Sequence, residues 1–396
     1  MIFNGRPAGF RDFKLSDSFI DKYRGQQPHW GYGVLSYITY LRTYSRPLPS
    51  GGQEEFWQTC QRVVEGCFNI QKLHCSVLGL PWSNDKAQKS AQVMYNLMWQ
   101  FKFLPPGRGL WAMGADVVYE RGSSVLLNCG AISTQDIKLD YSAPFRWLMD
   151  MSMSGIGIGY DTKGAGTVTI LPPAKKLDAV YLIPDSREGW VEIAGIILDA
   201  YTGTGYLPTF DYSQIRPKGS PLRTTGGIAP GPQPLIDLVN NLTRLYDNYI
   251  GKKVDSTLIV DTCNYLGKAV VSGGIRRSAL ISFGEHNDRE FMALKLDQAA
   301  VLDRRFASNN SIITPVGMDY AYPASLTAQN GEPGYFWLEN ARAYSRLIDL
   351  PDWKDERAMM TNPCAEQVLE NAELCCLVET FPAKHESLID NINTLK

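Results

Sequence analysis

From Pro232 onward, helix-like and strand-like segments alternate, and this alternation constrains the fold more than any other feature of the chain. Pro232 opens a segment in which Leu235, Leu238, Val239, Leu242, Leu245, Tyr246 and Tyr249 share one helical face, and Gly251 closes it. Val254–Val271 predicts a second helix, with Cys263 inside it, ending at Ser272-Gly273-Gly274. A β-type stretch, Ser278–Phe283, follows, and then a helix from about Asp288 to Gln298. Helices set between strands imply βαβ units and a largely parallel sheet, so this part of the chain reads as α/β. Residues 1–115 differ: they are rich in Trp and Tyr and read as a helical layer. In Glu54–Gln71 the positions Phe56, Trp57, Cys60, Val63, Val64, Cys67 and Ile70 recur at helical spacing, and Lys86–Lys102 reads as a further helix.

The 396 residues, 44% of them hydrophobic, can bury a sizeable core and form more than one structural unit. The net charge of −2 provides no broad basic field for polymeric nucleic acid, so a polyphosphate ligand would need locally placed cations. No run approaches the ~18 apolar residues of a membrane helix, and the first residues lack the layout of a secretory signal; the expectation is a cytoplasmic protein. Eight cysteines in so long a chain are no disulfide framework, and in a reducing compartment they read as core thiols, metal ligands or catalysts. Cys60 and Cys67 fall on a buried helical stripe. Cys67, His74 and Cys75 lack the paired C-x-x-C spacing of a zinc site, and no metal is expected.

The run Gly155-Ile156-Gly157-Ile158-Gly159 invites comparison with a dinucleotide-binding loop. That loop requires a strand before it, a helix after it and an acid about 20 residues on, whereas here a β-rich segment, Thr167–Leu171, follows. The expectation is a glycine-rich turn that lets backbones pack closely.

Chemistry concentrates near the end of the chain. In Asn362-Pro363-Cys364-Ala365-Glu366 a cysteine on a proline-stiffened segment has an amide two residues before it and a carboxylate two residues after it. Cys375-Cys376 begins eleven residues later, and Leu127-Asn128-Cys129-Gly130 lies far upstream on a short apolar strand expected within Ser123–Ser133. Residue chemistry alone fits a buried free thiol in a turn as well as a reactive cysteine, and it does not choose between Cys375 and Cys376.

Together these runs resemble the ribonucleotide reductases, above all the adenosylcobalamin-dependent, monomeric ribonucleoside-triphosphate reductases. The resemblance extends from about Phe13 to the last residue through Arg216-Pro217-Lys218-Gly219, Thr224-Thr225-Gly226-Gly227, Arg304-Arg305 with Asn309-Asn310-Ser311, and Gly331-Glu332-Pro333-Gly334. Pro230-Gly231-Pro232 stands where the family commonly has Ser-Gly-Pro, so the serine hydroxyl is lost. The implied fold is the first part of a ten-stranded α/β barrel with an α-helical N-terminal domain: a helical region over 1–115, the first half-barrel over 116–360 with an effector and insertion region at about 135–260, and a finger loop with the start of the second half-barrel over 361–396. Thr167–Pro208, with Arg187-Glu188-Gly189-Trp190-Val191-Glu192, resembles the insertion that replaces a neighbouring subunit in monomeric members. No N-terminal ATP-binding cone is evident.

The resemblance implies thiyl-radical reduction of ribonucleoside triphosphates to deoxynucleotides, with adenosylcobalamin as cofactor, a deoxynucleotide effector and a thioredoxin-like reductant. Cys364 is implied as the thiyl that takes the 3′ hydrogen, Glu366 as the acceptor of the 3′-hydroxyl proton, and Asn362 as a hydrogen-bond partner of the same sugar. Cys129 and Cys375 are implied as the thiol pair that becomes a disulfide, with Cys376 at the family's usual asparagine position. Gly273, Gly274, Arg276, Arg277 and Ser278 resemble the loop that carries the effector's message to the substrate base, and Asp136 matches an effector contact. The chain ends in a helix-like segment without a stop signal, so the expectation is an N-terminal half that needs a C-terminal half for turnover. A metal-dependent two-subunit reductase and a catalytically silent nucleotide-binding module are the rival readings; a glycyl-radical reductase fits less well because Glu366 is present.

Overall fold

The computed structural model describes residues 9–31, 33–120, 122–221, 228–272, 279–344 and 350–396. In chain order their strands are β1 (Phe103–Leu104), β2 (Cys129–Ile132), β3 (Gly157–Asp161), β4 (Lys175–Leu182), β5 (Leu207–Asp211), β6 (Leu280–Glu285), β7 (Ser308–Ile313), β8 (Gly334–Phe336), β9 (Met360–Thr361), β10 (Val368–Leu369), β11 (Leu374–Cys375) and β12 (Glu379–Thr380). The chain divides into two compact units, one of residues 1–128 with 376–396 and one of residues 129–375. This moves the expected boundary from 115 to 128. It also places the last 21 residues, 376–396, in the helical unit rather than at the start of a second half-barrel. There β12 pairs with β1, and Lys102 Nζ bonds the Asp390 carboxylate at 2.7 Å.

The helical unit is organised around helix Phe56–Leu78. Glu55 and Gln58 form a reciprocal capping box at its start, and Gly79 takes the left-handed conformation (φ 65°) at its end, so both termini are satisfied locally. Much of the Trp and Tyr of residues 1–115 packs in this core. Phe56 stacks on Phe101 at 5.0 Å and meets Tyr40 edge-on at 5.4 Å, with Trp30 and Trp99 completing the cluster. Cys60 is fully buried in this core, and Cys67 and Cys75 are half-buried.

The second unit carries a six-stranded sheet of order β11-β2-β3-β6-β7-β8. The five strands from β2 to β8 run parallel, and β11 alone is antiparallel, against β2. Helix Ala143–Met153 connects β2 to β3, and helix Ser256–Ser272 precedes β6, as βαβ units require. Asp255 caps the latter helix by accepting from Leu258 N at 2.8 Å. The expected single helix at 288–298 is instead Arg289–Ala293, a 3-10 turn and Gln298–Asp303. Asp297 accepts from Ala300 N at 3.1 Å and so begins a new helix where continuation was expected. Between β3 and β6, β4 and β5 form a separate parallel pair beside helices Arg187–Thr202 and Gln233–Asp247. Thr169 makes only an isolated bridge to Lys253, so the β-rich stretch Thr167–Leu171 is not a strand. Likewise Ser123–Leu126 is a 3-10 turn, and the strand expected there begins at Cys129.

Candidate active site

The Gly155–Gly159 run is the place where the expected turn gives way to a strand. Helix Ala143–Met153 precedes it and Gly157–Asp161 is β3, the reverse of a dinucleotide loop. Close packing is nonetheless its role: a Cβ on Gly159 would lie 1.9 Å from Thr361 O, and one on Gly157 would lie 3.1 Å from Pro363 Cγ. The two glycines therefore make room for the β9–β10 hairpin to lie directly on the sheet. Met360 and Leu369 of that hairpin pack with Cys129, Ala131, Ile281, Phe283 and Cys375 in one apolar cluster.

The hairpin tip is held by Asn362. Its backbone N–H donates to Gln367 O at 3.1 Å, its Oδ1 accepts from Gln367 N at 3.0 Å, and its carbonyl accepts from Ala365 N at 2.9 Å. Ala365 takes φ 61°, a left-handed conformation that costs a non-glycine residue energy and turns the chain sharply beside Cys364. Asn362 is fully buried, and among the described residues its Nδ2 has no partner, a donor left available at the base of the tip.

Cys129 and Cys375 face each other across the β2–β11 ladder in direct register. Directly opposed antiparallel residues have Cα atoms about 4.5–5.5 Å apart, inside the range a disulfide spans. Both are buried, at 7% and 6% exposure, and both are free thiols here. Cys364 is exposed at the hairpin tip, and the Cys129 thiol lies near enough to help raise its pKa, as it does that of Cys375. Cys376 is not in this group. It belongs to the other unit, where its Sγ meets Leu126 O at 3.8 Å.

Burial, the Glu366 carboxylate and Cys129 raise the pKa of Cys364, while burial and then Cys129 push that of Cys375 up to about 12. Nucleophilic cysteines sit in electropositive surroundings that favour the thiolate. This arrangement does the opposite and keeps the S–H bonds intact, which suits transfer of hydrogen atoms. Iodoacetamide at pH 8 is therefore expected to label Cys364 first and to leave Cys375 largely unmodified, with Cys375 labelling rising only as pH approaches 12. Peptide mass mapping of a pH series checks this, and prompt labelling of Cys375 at pH 8 would contradict the assigned environment.

Glu366, implied by the resemblance as a proton acceptor, is exposed among the described residues, whereas a general base would be expected to be desolvated. Asp136 lies on the exposed turn after β2 with its carboxylate accepting from Gln135 Nε2. Gly273, Gly274, Arg276, Arg277 and Ser278 lie outside the described residues, between helix Ser256–Ser272 and β6. Among the described residues no group of three His, Cys, Asp or Glu could hold a metal ion, and no helix is long and apolar enough to cross a membrane.

Sequence reasoning passed over the support beneath the thiols. Asp161, fully buried at the end of β3, accepts from Ser133 Oγ at 2.6 Å, Thr134 N at 2.8 Å and Thr134 Oγ1 at 3.0 Å. Ser133 N in turn donates to Asn371 Oδ1 at 2.8 Å, just ahead of β11. The Glu370-Asn371-Ala372-Glu373 stretch carries a turn-forming asparagine, a signal available in the sequence.

The sheet thus sets Cys129 opposite Cys375 beneath the hairpin that carries Cys364. Comparisons with known proteins show what this chain is similar to. Residues 15–115 match the family model of the ribonucleotide reductase alpha domain, and residues 164–246 match that of the B12-dependent ribonucleotide reductase insertion domain. The second match covers a longer stretch than the Thr167–Pro208 segment singled out in the sequence. A probable adenosylcobalamin-dependent ribonucleoside-triphosphate reductase of Dictyostelium discoideum is 45% identical over 98% of this chain and 54% of its own length. The adenosylcobalamin-dependent ribonucleoside-triphosphate reductase of Euglena gracilis is 42% identical over 97% and 53%, respectively. A crystal structure of a B12-dependent, class II ribonucleotide reductase superposes with a TM-score of 0.84 at 29% identity, covering 94% of this chain and 59% of that one. Over nearly all of its length the chain is similar to the B12-dependent, class II ribonucleotide reductases. It spans about half the length of the curated relatives it matches.

Proposed function

We propose that this chain carries the thiol half of a ribonucleoside-triphosphate reductase, converting ribonucleoside triphosphates to 2′-deoxyribonucleoside triphosphates. The observation that supports it most is Cys129 paired directly opposite Cys375 across β2 and β11, with the hairpin that carries Cys364 and Glu366 lying on the same sheet. Adenosylcobalamin fits the donor chemistry, because Cys364 is the exposed thiol of the three and its raised pKa keeps its S–H bond. When bound, adenosylcobalamin supplies the one-electron oxidation that makes a thiyl of Cys364.

The Cys364 sulfur would then take the 3′ hydrogen of the ribose. Glu366 would accept the 3′-hydroxyl proton, its exposure ending when substrate covers the tip. The unpartnered Asn362 Nδ2 would donate to the same sugar. Cys129 would protonate the departing 2′-hydroxyl, which leaves as water. Closure of the Cys129–Cys375 disulfide gives up the two electrons that reduce C2′, and Cys364 returns its hydrogen to C3′. A thioredoxin-like dithiol would reopen the disulfide, a deoxynucleotide would act as effector, and a C-terminal half would complete the enzyme. Free thiols at all eight cysteines suit a reducing, cytoplasmic setting. The metal-dependent two-subunit reading is disfavoured by the match at residues 164–246 to a B12-dependent insertion domain.

The test is CTP or ATP reduction with adenosylcobalamin and dithiothreitol, using this chain alone and mixed with the C-terminal half of a relative. Deoxynucleotide formation in the mixture supports the proposal. No product from a mixture shown to assemble would overturn it in favour of a silent nucleotide-binding module.

A further inference from the structure

Cys375 and Cys376 are adjacent thiols of like chemistry, so only the register of β11 on β2 determines which of them meets Cys129. A slip of one residue would put Cys376 in the place of Cys375 and turn Cys375 to the opposite face. A two-residue strand has little ladder of its own with which to resist such a slip.

The structure supplies fastenings in the turn ahead of β11. Asn371 Oδ1 accepts from Ser133 N at 2.8 Å, which joins the turn to the residue immediately after β2. Ser133 is itself fixed to the buried Asp161 through Oγ at 2.6 Å. Glu373 O accepts from Ala131 N at 2.9 Å, and Glu370 N donates to Glu373 Oε2 at 2.7 Å, closing the turn on itself. Leu374 fills the space over Gly130, where a Cβ would lie 2.6 Å from Leu374 Cδ2. Of these, the Asn371 contact is the one made by a side chain of the turn to the neighbouring strand's continuation, and it depends on reach. After a one-residue slip, Oδ1 would be about 3.3 Å out of position.

We propose that Asn371 is a positioning residue that locks the register of β11, selecting Cys375 over Cys376 as the disulfide partner of Cys129. This rests on the reading of Cys129 and Cys375 as the redox pair. The disulfide forms by loss of two protons and two electrons from two thiols to an external disulfide, such as oxidised glutathione, which is reduced to two thiols in exchange.

The experiment uses the full chain, equilibrated in glutathione redox buffers, alkylated and mapped by mass. With Cys375→Ser alone, the Cys129–Cys376 disulfide is expected to be a minor species, whatever Cys129 forms with Cys364. Adding Asn371→Leu is expected to raise the Cys129–Cys376 disulfide about tenfold, while Asn371→Asp, which keeps the acceptor, is expected to leave it at the single-variant level. In a Cys376→Ser background, Asn371→Leu is expected to lower the oxidised-to-reduced ratio of Cys129–Cys375 about tenfold, which is about 30 mV for a two-electron couple. If Asn371→Leu does not fold by circular dichroism, Asn371→Ala takes its place in both comparisons. Equal Cys129–Cys376 disulfide with and without the Asn371 substitution overturns the lock. Failure of the Cys376→Ser chain to form any Cys129–Cys375 disulfide, even in the most oxidising buffer, overturns the redox-pair reading itself and the lock with it.

Discussion

Cys364→Ser in the assembled enzyme is expected to bring deoxynucleotide formation to background while leaving the Cys129–Cys375 couple free to oxidise. An alcohol O–H bond is much stronger than a thiol S–H bond, so serine cannot serve as the hydrogen-atom carrier although it preserves shape and polarity. Cys364 is exposed at the hairpin tip, where Asn362 and the left-handed Ala365 set the backbone without using its sulfur. The substitution should therefore change stability by no more than about 0.5 kcal/mol, as surface replacements usually do. Two measurements separate the possibilities. Product analysis reads turnover, and alkylation after treatment with oxidised glutathione reads the thiol pair. Retained turnover would remove Cys364 from the radical role. Turnover and pair oxidation lost together would mean that the tip, rather than the sulfur, had been damaged.

The elements most legible in the sequence were those whose signal is local. Helix Phe56–Leu78 announces itself through apolar spacing as far as Gln71, seven residues short of its end, and the helices Gln233–Asp247 and Ser256–Ser272 through apolar spacing with glycines beyond their ends. The parallel sheet follows because strands alternate with these helices. What sequence could not display is contact at long range. Nothing in the glycines at 157 and 159 tells that Pro363 and Thr361 will come down on them, so the run read as a turn when it is a buried strand. The same holds for the thiols: residue chemistry left Cys375 and Cys376 equivalent, and only the ladder distinguishes them, with Cys375 opposite Cys129. Segment 376–396 was assigned to a continuing barrel because it follows the finger loop. Its pairing with Phe103–Leu104 and the ion pair of Asp390 with Lys102 assign it to the helical unit instead.

Asp261→Ala is expected to destabilise the sheet-bearing unit by about 3–5 kcal/mol, the usual result of removing one partner from a buried ion pair. Asp261 lies in the middle of helix Ser256–Ser272 at 1% exposure and accepts three charged hydrogen bonds: Arg304 Nη2 at 2.7 Å, Arg305 Nε at 2.7 Å and Arg305 Nη2 at 2.9 Å. Arg305 is also buried, and apart from Asp261 its guanidinium is held by Leu294 O. Without the carboxylate it would keep its charge, since arginine does not deprotonate in proteins, and so would sit uncompensated beneath the helix that packs behind β3 and β6. Urea unfolding followed by a probe of this unit should show a lower midpoint with little change in slope, and the loss should persist at 1 M salt because a buried pair is poorly screened. Replacing Asp261, Arg304 and Arg305 together by apolar residues of similar volume should recover most of the loss, because the cost arises from the orphaned charge rather than from the absence of an attraction. A single-variant loss below about 1 kcal/mol would instead mean that water reaches Arg305, and that the helix is held on the sheet by its apolar face alone.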